Sequence, residues 1–213
     1  MFEFVAATEV ETVAPRQGDG LVDPADVVMD RAFNLPAPPA RVWPWLVQLG
    51  KGRAGWYLPS SLERLLPRAR RATWEVDDRW QHLQVGDVIP DYGGRNETFQ
   101  VAHLEPSSSI VYTSLRGAMR LTWSINLEPA GGGTRVFLRL RMAPVRRRWL
   151  AETAGELIDV LTVAGMAAGL RQRLSTRPGR RGASARGRCD ERRGAGAREE
   201  GHRPRGWHER DHT

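Results

Sequence analysis

PAPPARVWPWLVQLGKGRAGWYLPSSLERLL, residues 36–66, gathers three tryptophans, a tyrosine and three glycines into one short stretch. Glycine lets the backbone turn sharply, and large rings need a common surface to bury against. The stretch therefore predicts a tight loop that delivers aromatic side chains to one place. Val42, Trp45, Leu46 and Leu49 recur at helical spacing up to Gly50, in a helix that Pro44 either kinks or forces to start late. Ser60 and Glu63 form a capping-box pattern ahead of Leu62, Leu65 and Leu66, which predicts a second short helix ended by Pro67.

Upstream, residues 1–25 carry Pro15, Gly18, Gly20 and Pro24 and little periodicity, and read as a lead-in. Asp26 to Asn34 alternates, with Val27, Met29, Arg31 and Phe33 on one face, as a strand does. Downstream, strands are expected over 85–90, 98–104, 110–115, 119–128 and 134–142, with turns at DYGG, EPSS, RG and PAGGG. Met119, Leu121, Trp123, Ile125 and Leu127 alternate with Arg120, Thr122, Ser124, Asn126 and Glu128, the clearest one-sided strand of the chain. Connections this short imply an antiparallel meander. After Pro144 an apolar stripe of Leu150, Ala154, Leu157, Leu161, Ala164 and Ala168 predicts a helix of about 25 residues reaching Leu174. Its glycines at 155, 165 and 169 thin it where something must lie against it.

These elements predict an α+β fold: a curved antiparallel β-sheet wrapped around a long C-terminal α-helix, with two short helices after the first strand. A helix laid across a bent sheet is expected to leave an apolar cavity. The domain occupies residues 26–174. Residues 175–213 hold eleven arginines, seven glycines and six acids but no Leu, Ile, Val or Phe, so this segment is expected to be a disordered tail. The whole chain has 32 basic and 25 acidic residues, so the body before the tail carries 21 and 19 and is nearly neutral. The basic charge belongs to the tail, which suits non-specific contact with nucleic acid and argues against a specific nucleic-acid fold. The single cysteine, Cys189, excludes an internal disulfide, and the N-terminus has neither basic residues nor a long apolar run. Both point to a cytoplasmic protein without a membrane span.

The order of elements, with PAPPARVWPWLVQLGKGRAGWY (36–57), VGDVIPDYGG (85–94) and GMAAGLRQRL (165–174), resembles the SRPBCC superfamily, also called START-like or helix-grip. Its polyketide cyclase/dehydrase-like and lipid-transport-like bacterial members are the nearest in pattern. The resemblance covers about residues 8–174. It implies a seven-stranded type of sheet gripping a long helix around a hydrophobic pocket, used by many members to bind lipids, sterols or polyketides and by some to catalyse cyclisation or dehydration.

Two motifs compete and fail on context. Gly50-Lys51-Gly52-Arg53-Ala54-Gly55 spells G-x-G-x-x-G, but a helix precedes it and no βαβ unit follows. His208-Glu209-Arg210-Asp211-His212 spells H-E-x-x-H inside the tail, without a third ligand or a packed scaffold. No metal and no cofactor is called for. Within the predicted pocket, Trp56, Tyr57, Tyr112, Trp123 and Met166 are expected to supply apolar walls, and Arg53 to orient a small hydrophobic ligand. The alternative for Arg53 is a lock on Asp87 or Asp91. His103 shares the parity of Phe99 and Val101, so that His103, Asp91 and Arg53 form the candidate catalytic set for a cyclase or dehydratase. The bland reading of His103 is a satisfied structural residue. Oligomeric state is not encoded in these patterns.

Overall fold

The computed structural model describes residues 5–146, 153 and 155–176. The helices are α1 (Glu9–Val13), α2 (Pro39–Val47), α3 (Ser60–Glu63) and α4 (Glu156–Ser175), and the strands are β1 (Val27–Leu35), β2 (Val88–Pro90), β3 (Thr98–Glu105), β4 (Ser109–Arg116), β5 (Met119–Ala130) and β6 (Gly133–Ala143). The strands form one curved antiparallel sheet of order β1-β6-β5-β4-β3-β2. With the long helix α4 against it, this is the helix-grip arrangement expected from the sequence, with six strands among the described residues.

Pairing places side chains in register. Trp123 lies opposite Tyr112 and Leu140, and Ile125 lies opposite Ile110 and Leu138. This is the inner face. Tyr57, Ile110, Ile125, Met166 and Leu170 are fully buried there, at 0 % exposure, so none borders space that a water molecule could enter. The middle of the sandwich, where the sequence predicted a cavity, is packed with side chains.

The outer face is not left to solvent. Thr122, Ser124 and Asn126, expected as the polar side of β5, are all buried. Residues 5–25 cross that face as a strap fastened by arginines of β6. Arg135 binds Glu11 at 2.7 Å. Arg139 binds Asp30 and Asp19 and also donates to the carbonyls of Ala14 and Thr12. Phe137 sits between the guanidinium groups of Arg16 and Arg139, 4.3 and 5.3 Å from its ring centre. The buried arginines and acids of this face are paired with one another.

Two helical details differ from expectation. The buried stripe of α4 is Val163, Met166, Ala167, Leu170 and Leu174, whereas Leu157 and Leu161 are exposed. The expected start at Leu150 lies outside the described residues. Helix α3 has no capping box: Pro59 is its N-cap, Glu63 turns inward to Arg173, and Leu62 and Leu65 are exposed. Pro44 lies inside α2, which starts on Pro39 and ends after nine residues. The glycines of α4 do serve close approach. A Cβ on Gly169 would sit 2.7 Å from Leu58 N, and one on Gly165 would sit 2.8 Å from the Leu58 side chain.

Candidate functional site

The loop 48–58 is a hairpin-like turn, bridged at Gly50 and Gly55 and carried by positive-φ glycines. It presents Trp56 and Tyr57 in opposite directions, as successive residues of an extended segment do. Tyr57 goes into the core, meets Trp45 edge-on at 5.6 Å and donates its hydroxyl to the Trp45 carbonyl at 2.8 Å. Burial pushes that hydroxyl far above the ordinary tyrosine range. Trp56 stays half-buried, donates Nε1 to the Thr162 carbonyl of α4 at 3.2 Å and stacks on Trp123 at 6.0 Å.

Trp123 in turn stacks on Tyr112 at 5.7 Å and an interplanar angle of 24°, and Phe99 packs beside both. Tyr92 closes the far end against Trp56 at 6.2 Å. A continuous run of rings thus reaches from exposed Tyr92 to buried Tyr112. Around Trp123 the inner face is only partly covered. Leu140 and Met142 of β6, and Val160 and Ala164 of α4, pack against the core while retaining contact with solvent. This end of the inner face is apolar and aromatic and keeps partial exposure, in contrast to the fully buried residues of the middle.

The predicted wall residues therefore divide. Trp56, Tyr112 and Trp123 come together, while Tyr57 and Met166 belong to the sealed core. Phe99 and Tyr92 complete the aromatic group; Phe99 shares the parity of Val101 on β3, a signal present in the sequence, whereas Tyr92 stands in the DYGG turn.

The predicted catalytic set does not assemble. Between Val101 and His103 the β3–β4 register shifts, so that Val101 faces Tyr112 but His103 faces Val111. This bulge inserts one residue and reverses the parity on which the pocket assignment of His103 rested. His103 points to the outer side, where Nε2 lies 3.1 Å from Ser109 Oγ and 4.0 Å from Glu105 Oε2. Asp91 is bound to Arg116, and Lys51 donates to its backbone carbonyl at 3.0 Å. Arg53 neither stacks on Trp56 nor pairs with Asp87 or Asp91. Its Nη2 donates to the carbonyls of Val47 and Trp80, both at 3.0 Å, and its guanidinium lies over the Trp80 ring at 4.9 Å. Burial lowers its pKa from the ordinary arginine value. Each of the three groups is occupied elsewhere.

Sequence reading missed the buried ion pair below this site. Arg173 Nη2 donates to Glu63 Oε1 at 2.6 Å, and the guanidinium lies 4.2 Å from the Trp74 ring and 4.8 Å from that of Tyr57. Arg173 also donates to the carbonyls of Thr73 and Leu58, and Trp74 Nε1 donates to Glu63 Oε2 at 2.8 Å. Together they tie the end of α4 to the loop that carries Trp56. Among the described residues, no helix is long and apolar enough to cross a membrane. The tail, with Cys189 and the H-E-x-x-H motif, falls outside the described residues from position 177 onward.

No protein-family model matches this chain, and no curated protein matches it in sequence. Solved structures do match. Protein MLL2253 of Mesorhizobium loti is 17 % identical, with 70 % of this chain and 96 % of that one covered and a TM-score of 0.45. CV1439 of Chromobacterium violaceum is 17 % identical over 70 % and 98 %, with a TM-score of 0.45. CalU16 of Micromonospora echinospora is 15 % identical over 71 % and 77 %, with a TM-score of 0.43.

Proposed function

We propose that this protein binds a small hydrophobic molecule, lipid-like or polyketide-like, on the open aromatic end of its inner face. The observation that carries this reading is the stacked pair Trp56–Trp123, half-buried, backed by buried Tyr112 and flanked by Leu140 and Met142. Stacked rings with solvent access gain by covering their exposed faces with another flat or chain-like apolar body. Binding without chemistry is favoured over a cyclase or dehydratase, because such a reaction needs one group to polarise a carbonyl and another to move a proton at a shared point. Arg53, Asp91 and His103 share no such point.

Native mass spectrometry of gently purified protein, with and without exposure to a lipid extract, tests the reading. A small hydrophobic adduct that Trp123→Ala loses is expected. Protein that stays free of adduct under both conditions would overturn it.

A further inference from the structure

A recess of about 680 Å³ lies between the β5–β6 turn and the last turns of α4, lined by Asn34, Leu35, Pro36, Ala130, Gly131, Gly132, Gly133 and Arg171. Trp123 and Ala130 are seven residues apart along β5, roughly 23 Å at about 3.3 Å per residue, so this recess is separate from the aromatic surface. It has one charged side chain. Arg171 is half-buried, and its Nε donates to the Asn34 carbonyl at 3.0 Å. No carboxylate lines the recess, and among the described residues Arg171 forms no ion pair.

The opposite wall is peptide backbone. Gly131 and Gly132 have φ of 54° and 79°, two successive left-handed residues, and a Cβ on either would meet nothing within 4 Å. Consecutive backbone N–H groups in such turns form concavities that favour anions. The Arg171 guanidinium, whose Nη1 and Nη2 have no partner among the described residues, lines the same recess. Planar donors of this kind pair with carboxylate or phosphate oxygens.

We infer that the recess between the Gly131–Gly133 turn and Arg171 is an anion site, taking the carboxylate or phosphate group of a small molecule or of a lipid head. Burial lowers the Arg171 pKa, a penalty that an incoming anion relieves.

The test measures thermal unfolding of the full chain with inorganic phosphate, against chloride at equal ionic strength. The arginine-rich tail responds equally in every variant, so the difference between wild type and Arg171→Gln reports the recess. Wild type is expected to be stabilised more than Arg171→Gln, and its apparent affinity for phosphate to be roughly tenfold or more tighter. Gly131→Asp supplies a second check, because aspartate tolerates the left-handed region and brings a carboxylate to the recess; it is expected to remove the same increment of stabilisation. Flotation with phosphatidylcholine vesicles containing phosphatidic acid separates the sources: a difference between wild type and Arg171→Gln there assigns a lipid head group, and a difference with inorganic phosphate alone assigns a soluble ligand. Equal behaviour of wild type, Arg171→Gln and Gly131→Asp in both arms would overturn the inference.

Discussion

Arg173 of α4 is paired with Glu63 of α3 at 2.6 Å, with the two side chains 0 % and 4 % exposed. The pair joins the end of the long helix to the 55–75 loop, alongside the contacts of Thr162 with Trp56 and of Gly169 with Leu58. Removing one partner leaves the other charge in an apolar setting. Glu63→Ala is therefore expected to cost about 3–5 kcal/mol, seen as a lower midpoint in urea unfolding. Loss of less than about 1 kcal/mol would show that the pair is not holding the loop.

The two helix glycines should respond differently to alanine. Gly169→Ala drives a methyl group against the backbone of Tyr57 and Leu58, at 2.7 Å, where nothing can give. A loss of about 1–3 kcal/mol is expected. Gly165→Ala meets only the end of the Leu58 side chain, which can rotate, while helix propensity gains up to about 1 kcal/mol. Thermal unfolding of the two variants should order them Gly165→Ala above Gly169→Ala.

The strap gives a pH dependence. The Arg135 guanidinium holds the Glu11 carboxyl down at about 2, against an ordinary value of 4.5. A carboxyl lowered on folding contributes stability that is complete above the unfolded value and is lost as pH falls towards the folded one. Unfolding of wild type and Glu11→Gln, compared from pH 6 to pH 2, should show a difference that is constant above about pH 5 and shrinks between pH 4.5 and 2. A difference independent of pH would place the effect of Glu11 elsewhere.

His103→Ala should leave uptake of a hydrophobic ligand unchanged, since the bulge turns His103 to the outer side. Trp123→Ala should weaken uptake by roughly tenfold or more, by loss of one ring face. A matching loss in both variants, measured by fluorescence titration with 1-naphthol, would contradict the placement of the site on the inner face.

The fold was legible because β5 alternates cleanly and its neighbours are joined by short turns, which leave an antiparallel meander little freedom. The site was legible only where side-chain parity survives. Trp123, Tyr112 and Phe99 follow it, but His103 does not, because a bulge is a backbone event without a marker in V-A-H. Thr122, Ser124 and Asn126 read as solvent-facing, and only the arginine-fastened strap, formed by residues more than a hundred positions away, buries them. Along α4, alanines on both sides make two apolar stripes, and composition does not tell which one the sheet selects. The partners of Arg53 are two carbonyls and Trp80, 27 residues on, and nothing in the residue pattern marks acceptors that belong to the backbone.

The most direct test is a correlation spectrum of the tryptophan indole N–H groups in ¹⁵N-labelled protein titrated with 1-naphthol, a neutral, flat probe that the basic tail does not attract. Shifts concentrated at Trp56 and Trp123, with Trp74 and Trp80 unmoved, are the result predicted for a ligand seated on the aromatic end. Unmoved signals for Trp56 and Trp123 at saturating probe would contradict it.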